Sequence, residues 1–298
     1  MITLQGVFAP VVTPFTSTGD VDLDAFARNL RAHVAAGIDG IVVMGSTGEA
    51  ALLDDTERNA LVDRARRELS NGEVLLVGTG SESTRATIAR TTSAAERGAD
   101  GVLVVAPHYY GGAVSNDALR QHYERVADTS LVPVLLYSIP KYMHFAIAPE
   151  IVASLARHEN IVGMKDSSGD AGLFSQYIAL QTDSFRVLTG SGAFFAEALR
   201  MGAAGGILAA CLFAPEASLA VWQAHLRGDA AARDLAQQAL TPLASTIVGT
   251  MGVAGVKAAL DRVGLTGGPT RPPLPPLDSA ALARLDELVR VAELAGSS

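Results

Sequence analysis

Ile161-Val-Gly-Met-Lys-Asp-Ser-Ser-Gly-Asp170 opens on a short apolar run and passes, at Lys165, into charged, hydroxylated and glycine residues. A run that is continuous in hydrophobicity, not alternating, reads as a strand buried on both faces, as in parallel sheets. Working outward, the same unit recurs at residues 7–12, 41–44, 74–77, 102–105, 132–137, 186–189 and 206–208. Segments of helical period lie between. Leu23, Phe26, Leu30 and Val34 form one stripe, and Ile88, Thr92 and Ala95 another. Asp22, Asp54 and Ser83 stand where N-caps belong, Asp54-Asp-Thr-Glu57 has the form of a capping box, and Gly37 and Gly98 mark stops. Eight strand–helix alternations predict an α/β fold, a (β/α)8 TIM barrel. The competing doubly wound sheet wants a GxGxxG turn after its first strand, and none follows Val12.

Past the eighth strand the pattern becomes helical, rich in Ala and Leu, with breaks expected at Gly228, Gly249–Gly252 and Gly264–Gly268. Arg271-Pro-Pro-Leu-Pro-Pro reads as a stiff connector, and residues 279–295 as a terminal amphipathic helix. The expected division is a barrel over residues 1–228, carrying the active site, and a C-terminal helical extension over 229–298.

The 298 residues suit one barrel of about 250 residues plus an extension. A net charge of −8 without a Lys/Arg run argues against a nucleic-acid surface. The longest apolar run, residues 203–215, is shorter than the about 20 residues of a membrane span. The N-terminus lacks a basic segment and a cleavage site, and Cys211, the single cysteine, sits in an apolar stretch as a small hydrophobe. A soluble, cytoplasmic protein is expected.

In such barrels chemistry sits at the C-terminal ends of the strands. Strand two ends in Gly45-Ser-Thr-Gly-Glu49, strand four runs into Pro107-His-Tyr-Tyr110, strand five ends at Tyr137-Ser-Ile-Pro140, and strand seven at Gly190-Ser-Gly192. Lys165 emerges from an apolar wall, and desolvation lowers a lysine pKa from about 10.4 towards values suited to a Schiff-base nucleophile. By position alone, a lysine paired with Asp166 or Asp170 is the commoner arrangement. Tyr137 can relay protons if Thr47 or Ser46 polarises it, although a strand-end tyrosine is more often core packing. The Gly45–Gly48 turn offers backbone N–H groups and two hydroxyls, a nest for a carboxylate; an ordinary turn, with Glu49 serving the helix start, is the plainer alternative.

Together these motifs, with Gly163-Met-Lys-Asp-Ser167 and Gly255-Val-Lys-Ala-Ala259, resemble the dihydrodipicolinate synthase / N-acetylneuraminate lyase superfamily over essentially the whole chain. The resemblance implies Schiff-base chemistry at Lys165 with a pyruvate-like 2-oxo acid, and proton transfer by Tyr137. It implies carboxylate binding by Ser46 and Thr47, and further substrate contacts at Ser167, Gly190 and the Ile207 carbonyl. Tyr110 is similar to the tyrosine that family members insert into a neighbouring subunit's site, relaying through Thr47, which implies a homotetramer built as a dimer of dimers. Lys257 is read as structural. No cofactor and no metal are implied, and His33, His108, His122, His144, His158 and His225 show no paired ligand spacing.

Dihydrodipicolinate synthases carry an arginine two residues beyond their YNxP motif, where this chain has Tyr142; Lys141 is not an equivalent bidentate donor. Glu82-Ser-Thr-Arg-Ala-Thr87, the YSxP form and Gly163-Met-Lys-Asp-Ser-Ser-Gly-Asp170 are most similar to 4-hydroxy-2-oxoglutarate aldolases. The implied reaction is cleavage of a 4-hydroxy-2-oxo acid, here 4-hydroxy-2-oxoglutarate to pyruvate and glyoxylate. A 2-keto-3-deoxy sugar-acid aldolase or dehydratase, dihydrodipicolinate synthesis and a catalytically silent pyruvate-binding regulatory barrel are the alternatives. Lys141 and His144 are candidate distal-anion contacts, against the plainer reading of solvated loop charges.

Overall fold

Valine-, isoleucine- and leucine-rich runs suit a pleated surface buried on both sides, and they form the strands of this protein. The structure, a computed structural model, describes residues 2–69 and 72–295. In chain order the elements are β1 (Gly6–Pro10), α1 (Leu23–Ala35), β2 (Gly40–Val43), α2 (Asp55–Glu68), β3 (Val74–Gly78), α3 (Thr84–Glu96), β4 (Gly101–Val105) and α4 (Asn116–Thr129). They continue with β5 (Val134–Ser138), the short α5 (Pro140–Met143), α6 (Pro149–Leu155), β6 (Ile161–Asp166), α7 (Ala171–Ile178), β7 (Arg186–Thr189), α8 (Phe195–Met201), β8 (Gly205–Ile207) and α9 (Pro215–Leu226). All neighbouring strands pair in parallel, and β8 pairs with β1, so the sheet closes into the predicted barrel.

The strands fall within two residues of their expected starts and ends. Two differences have plain causes. Met44 leaves β2 because it turns into the left-handed region, φ 55°. β5 begins at Val134 because Pro133 has no N–H to enter the ladder. Helix starts were well marked: Asp22 and Ser83 accept backbone N–H groups as caps, and Asp54 and Glu57 form a reciprocal capping box. The α3 stripe needs correction by one residue. Thr87, Thr91 and Ala94 are the buried positions, while Ile88, Thr92 and Ala95 are half-buried at its edge.

The C-terminal part comprises α10 (Ala230–Pro242), α11 (Gly252–Arg262) and α12 (Ser279–Ala295). The break expected at Gly249–Gly252 is narrower. A π-helical segment (Leu243–Thr250) carries the chain past Pro242, and the turn comes at Gly252, φ 65°. The Arg271–Pro276 stretch is docked, not free. Arg271 donates to both Glu57 carboxylate oxygens, at 2.7 and 2.5 Å, and to the Leu52 and Gly19 carbonyls. Among the described residues no helix is long and apolar enough to cross a membrane.

Candidate active site

Strand pairing decides which side chains meet. Register between β5 and β6 slips by one residue near Val134, where a bulge leaves Leu135 opposite Gly163; downstream, Tyr137 pairs with Lys165 and Ser138 with Asp166. Because side chains alternate faces with period two, a ladder without this extra residue would set Tyr137 against Met164 instead. Gly163 permits the close fit: a Cβ there would come within 2.4 Å of the Arg186 carbonyl oxygen.

Lys165 is 4% exposed. Its Nζ donates to the Tyr137 hydroxyl at 3.2 Å and lies 4.3 Å from the centre of that ring. The ion-pair alternatives are not formed. Asp166 accepts from the Ser168 hydroxyl at 2.6 Å, and Asp170 caps α7 through the Leu173 N–H. Among the described residues no carboxylate pairs with Lys165. Burial pushes the Asp166 carboxyl up to about 6, so this neighbour is itself a reluctant anion.

Lys165 and Tyr137 open into a cleft of about 220 Å³ at the C-terminal end of the barrel, shared with Ser46, Thr47, Ser167, Gly190 and Ile207. Ser46 Oγ stands 3.4 Å from the Tyr137 hydroxyl. The hydroxyl beside the phenol is therefore that of Ser46, while Thr47 lines the cleft without reaching it. In the Gly45–Glu49 turn, the Gly48 and Glu49 N–H groups close onto Gly45 and Ser46 carbonyls. No hydrogen bond from the Ser46 or Thr47 N–H occurs among the described residues, which leaves two adjacent donors for an anion. Gly190 keeps the approach to the amine open: a Cβ there would lie 1.9 Å from Ser167 Oγ and 2.7 Å from Lys165 Cε.

Tyr110 stands apart from this group. It is 69% exposed, beside an equally exposed Tyr109, and outside the cleft lining. The Lys257 ammonium meets Glu49 in a buried ion pair, so Glu49 reaches across to the C-terminal part instead of serving the helix start. The sequence reading missed the distal wall, made by Ala244, Ser245 and Val248 of the π-helical segment and by Val253 and Val256 of α11. The i, i+3 spacing of those valines beside Gly252 was the available signal. Lys141 also lines the cleft, its Nζ donating to the Gly249 carbonyl at 2.8 Å, whereas His144 does not line it. Tyr142 lines it too, its phenol pushed above the usual range by burial and by the nearby Tyr137. Among the described residues no group of three His, Cys, Asp or Glu side chains gathers to hold a metal ion.

Comparison with known proteins identifies the family. The sequence profile of the dihydrodipicolinate synthetase family matches residues 3–292. The 4-hydroxy-tetrahydrodipicolinate synthase 1 of Streptomyces coelicolor is 36% identical over 290 residues, which span 97% of this chain and 93% of that one. The 4-hydroxy-tetrahydrodipicolinate synthase of Methanoculleus marisnigri is 32% identical over 288 residues, 96% of this chain and 98% of its own. Among solved structures, YagE of Escherichia coli K12, a prophage protein of the dihydrodipicolinic acid synthase family in complex with pyruvate, superposes with a TM-score of 0.92. It is 30% identical, covering 98% of this chain and 100% of that one. This chain thus belongs to the dihydrodipicolinate synthetase family, as a lyase of the class I aldolase type.

Proposed function

We propose that this protein is a pyruvate-dependent aldolase that cleaves a 4-hydroxy-2-oxo acid through a Schiff base on Lys165. The observation that carries the reading is a buried amine, without a carboxylate partner among the described residues, hydrogen-bonded to the phenol opposite it in register. The amine attacks the 2-oxo carbon and water leaves, giving a protonated imine. Tyr137 takes the proton of the 4-hydroxyl as the C3–C4 bond breaks. The electron pair flows into the imine, an aldehyde departs, and the neutral enamine is protonated and hydrolysed to pyruvate. Ser46 and Thr47 would hold the pyruvyl carboxylate, Ser46 also polarising the phenol. Ser167, Gly190 and the Ile207 carbonyl would border the reacting carbons. Tyr110, exposed on the single chain, would complete the relay in a neighbouring copy of a homotetramer.

Within this class, 4-hydroxy-2-oxoglutarate fits best, yielding glyoxylate. Its far carboxylate needs a cation, and Lys141, held at the distal rim by Gly249, supplies one; the arginine of the synthases is replaced by Tyr142. The relatives named as synthases favour a second reading, condensation of pyruvate with aspartate semialdehyde. A single buried cysteine suits a cytoplasmic setting. Borohydride reduction in the presence of pyruvate, followed by peptide mass mapping, tests the chemistry, and an unmodified Lys165 would refute it. A panel of 4-hydroxy-2-oxo acids, read by pyruvate release, tests the substrate. Faster condensation with aspartate semialdehyde than cleavage of any panel member would establish the synthase instead; an adduct without turnover would mean a silent binder.

A further inference from the structure

We propose that the Glu49–Lys257 ion pair is a positioning device that holds the Ser46–Thr47 backbone in its carboxylate-binding shape, making α11 a determinant of affinity for the 2-oxo acid. This rests on the reading that Ser46 and Thr47 receive the pyruvyl carboxylate.

The turn carrying those donors is anchored at its far end. Glu49 adopts a left-handed conformation, φ 55°, which a residue with a Cβ holds only when its surroundings impose it. What imposes it is the carboxylate, 3% exposed, clasped by the Lys257 ammonium and, at 2.9 Å, by the Arg271 backbone N–H. Lys257 is 1% exposed and is fixed in turn, donating to the Pro269 carbonyl at 2.7 Å. Its Nζ and the Arg271 guanidinium also stack on the Phe15 ring, at 4.3 and 4.2 Å. The Glu49 N–H donates to the Ser46 carbonyl, closing the turn around Thr47, and Thr13 holds the Gly48 carbonyl at 2.8 Å. Any relaxation of Glu49 towards an ordinary φ therefore pulls on the peptide units that aim the Ser46 and Thr47 N–H groups. Val256, beside Lys257 in α11, lines the same cleft. One helix thus shapes the distal wall and steadies the carboxylate end.

The clasp should act chiefly on affinity for the carboxylate, because Lys165 and Tyr137 are themselves set by β5 and β6 and meet the turn only through the Ser46 hydroxyl. The test measures borohydride-trapped adduct against pyruvate concentration in the wild type, Glu49→Gln, and the Glu49→Gln/Lys257→Met double variant. The double variant leaves no uncompensated buried charge, so it folds even if the single one does not. Ser83→Ala, which removes the α3 cap, serves as a destabilised control away from the cleft. The expected result is a rise of about tenfold or more in half-saturating pyruvate for both Glu49 variants, with maximal trapping within about twofold of wild type. The control should melt earlier yet keep the wild-type half-saturation. Wild-type half-saturation in the folded double variant would overturn the proposal, as would an equal shift in the Ser83 control. Absence of a Lys165 adduct in the wild type would instead remove the pyruvate reading, and this inference with it.

Discussion

Gly190 sets how closely anything can approach Lys165. A methyl group there would press on Ser167 Oγ and Lys165 Cε, the first contact far inside van der Waals range, so Gly190→Ala forces the amine or the serine to shift. A misplacement on the order of 1 Å at a reacting centre costs about a hundredfold in rate. We expect a loss of that order in kcat/KM and in the rate of pyruvate trapping; wild-type trapping would mean that the amine has room to spare. Lys141 is the complementary residue at the far end. Its ammonium is held by a neutral carbonyl and not by a carboxylate, leaving its charge available to a substrate. Lys141→Met should raise KM for 4-hydroxy-2-oxoglutarate by about tenfold or more, the worth of one charge-assisted hydrogen bond. KM for a 4-hydroxy-2-oxo acid with an uncharged tail should not change. Equal changes for both substrates would place the distal carboxylate elsewhere.

Among the elements, β6 carries the most information per residue. Its bulge aligns Lys165 with Tyr137, and Gly163 lets the bulged strand lie against β7. Gly163→Ala should destabilise the fold by about 1–3 kcal/mol through overpacking and also slow adduct formation, because relief of the clash displaces the strand bearing Lys165. Chemical denaturation and borohydride trapping on the same sample check both, and a stability loss with unchanged trapping would show that the register survives. The strands themselves were legible because continuous apolar runs ending in Lys165, Tyr137 and the Gly45–Glu49 turn have few other readings. The bulge was not: it depends on pairing between strands, and nothing in the β6 residues alone reveals a slip. The π-helical wall was hidden for a similar reason. Gly249 looks like a break locally, whereas packing against the barrel mouth keeps the chain helical past it to Thr250. Tyr110 enters the site only by resemblance, since on the single chain it stands exposed and outside the cleft lining.

At the scale of the whole molecule, buried titratable groups set how the stability of the fold responds to pH. His33 and His122 are 2% and 5% exposed, and burial pushes both down from 6.5 to about 4. In the unfolded chain each gains a proton near 6.5; in the folded protein it does not until about 4. Their contribution is thus intact above pH 6.5 and lost as pH falls through that window, at about 3 kcal/mol for each. Asp166 acts in the opposite sense. Its carboxyl is raised to about 6, so the folded state holds a proton that the unfolded state releases near 3.8; stability falls as pH rises from about 4 to 6, again by about 3 kcal/mol. Two histidines outweigh one aspartate, so these groups together make the fold weaker towards pH 4. The double variant His33→Gln/His122→Gln leaves only the aspartate term of the three. Its stability relative to wild type should therefore rise steadily between pH 6.5 and 4 and be level above pH 7. Neither histidine lines the cleft, so turnover at neutral pH should be retained. Denaturation midpoints at half-unit pH steps measure the effect. Parallel curves for variant and wild type would mean that both imidazoles take up protons in the native state, and the acid lability would then have to come from the surface ion pairs.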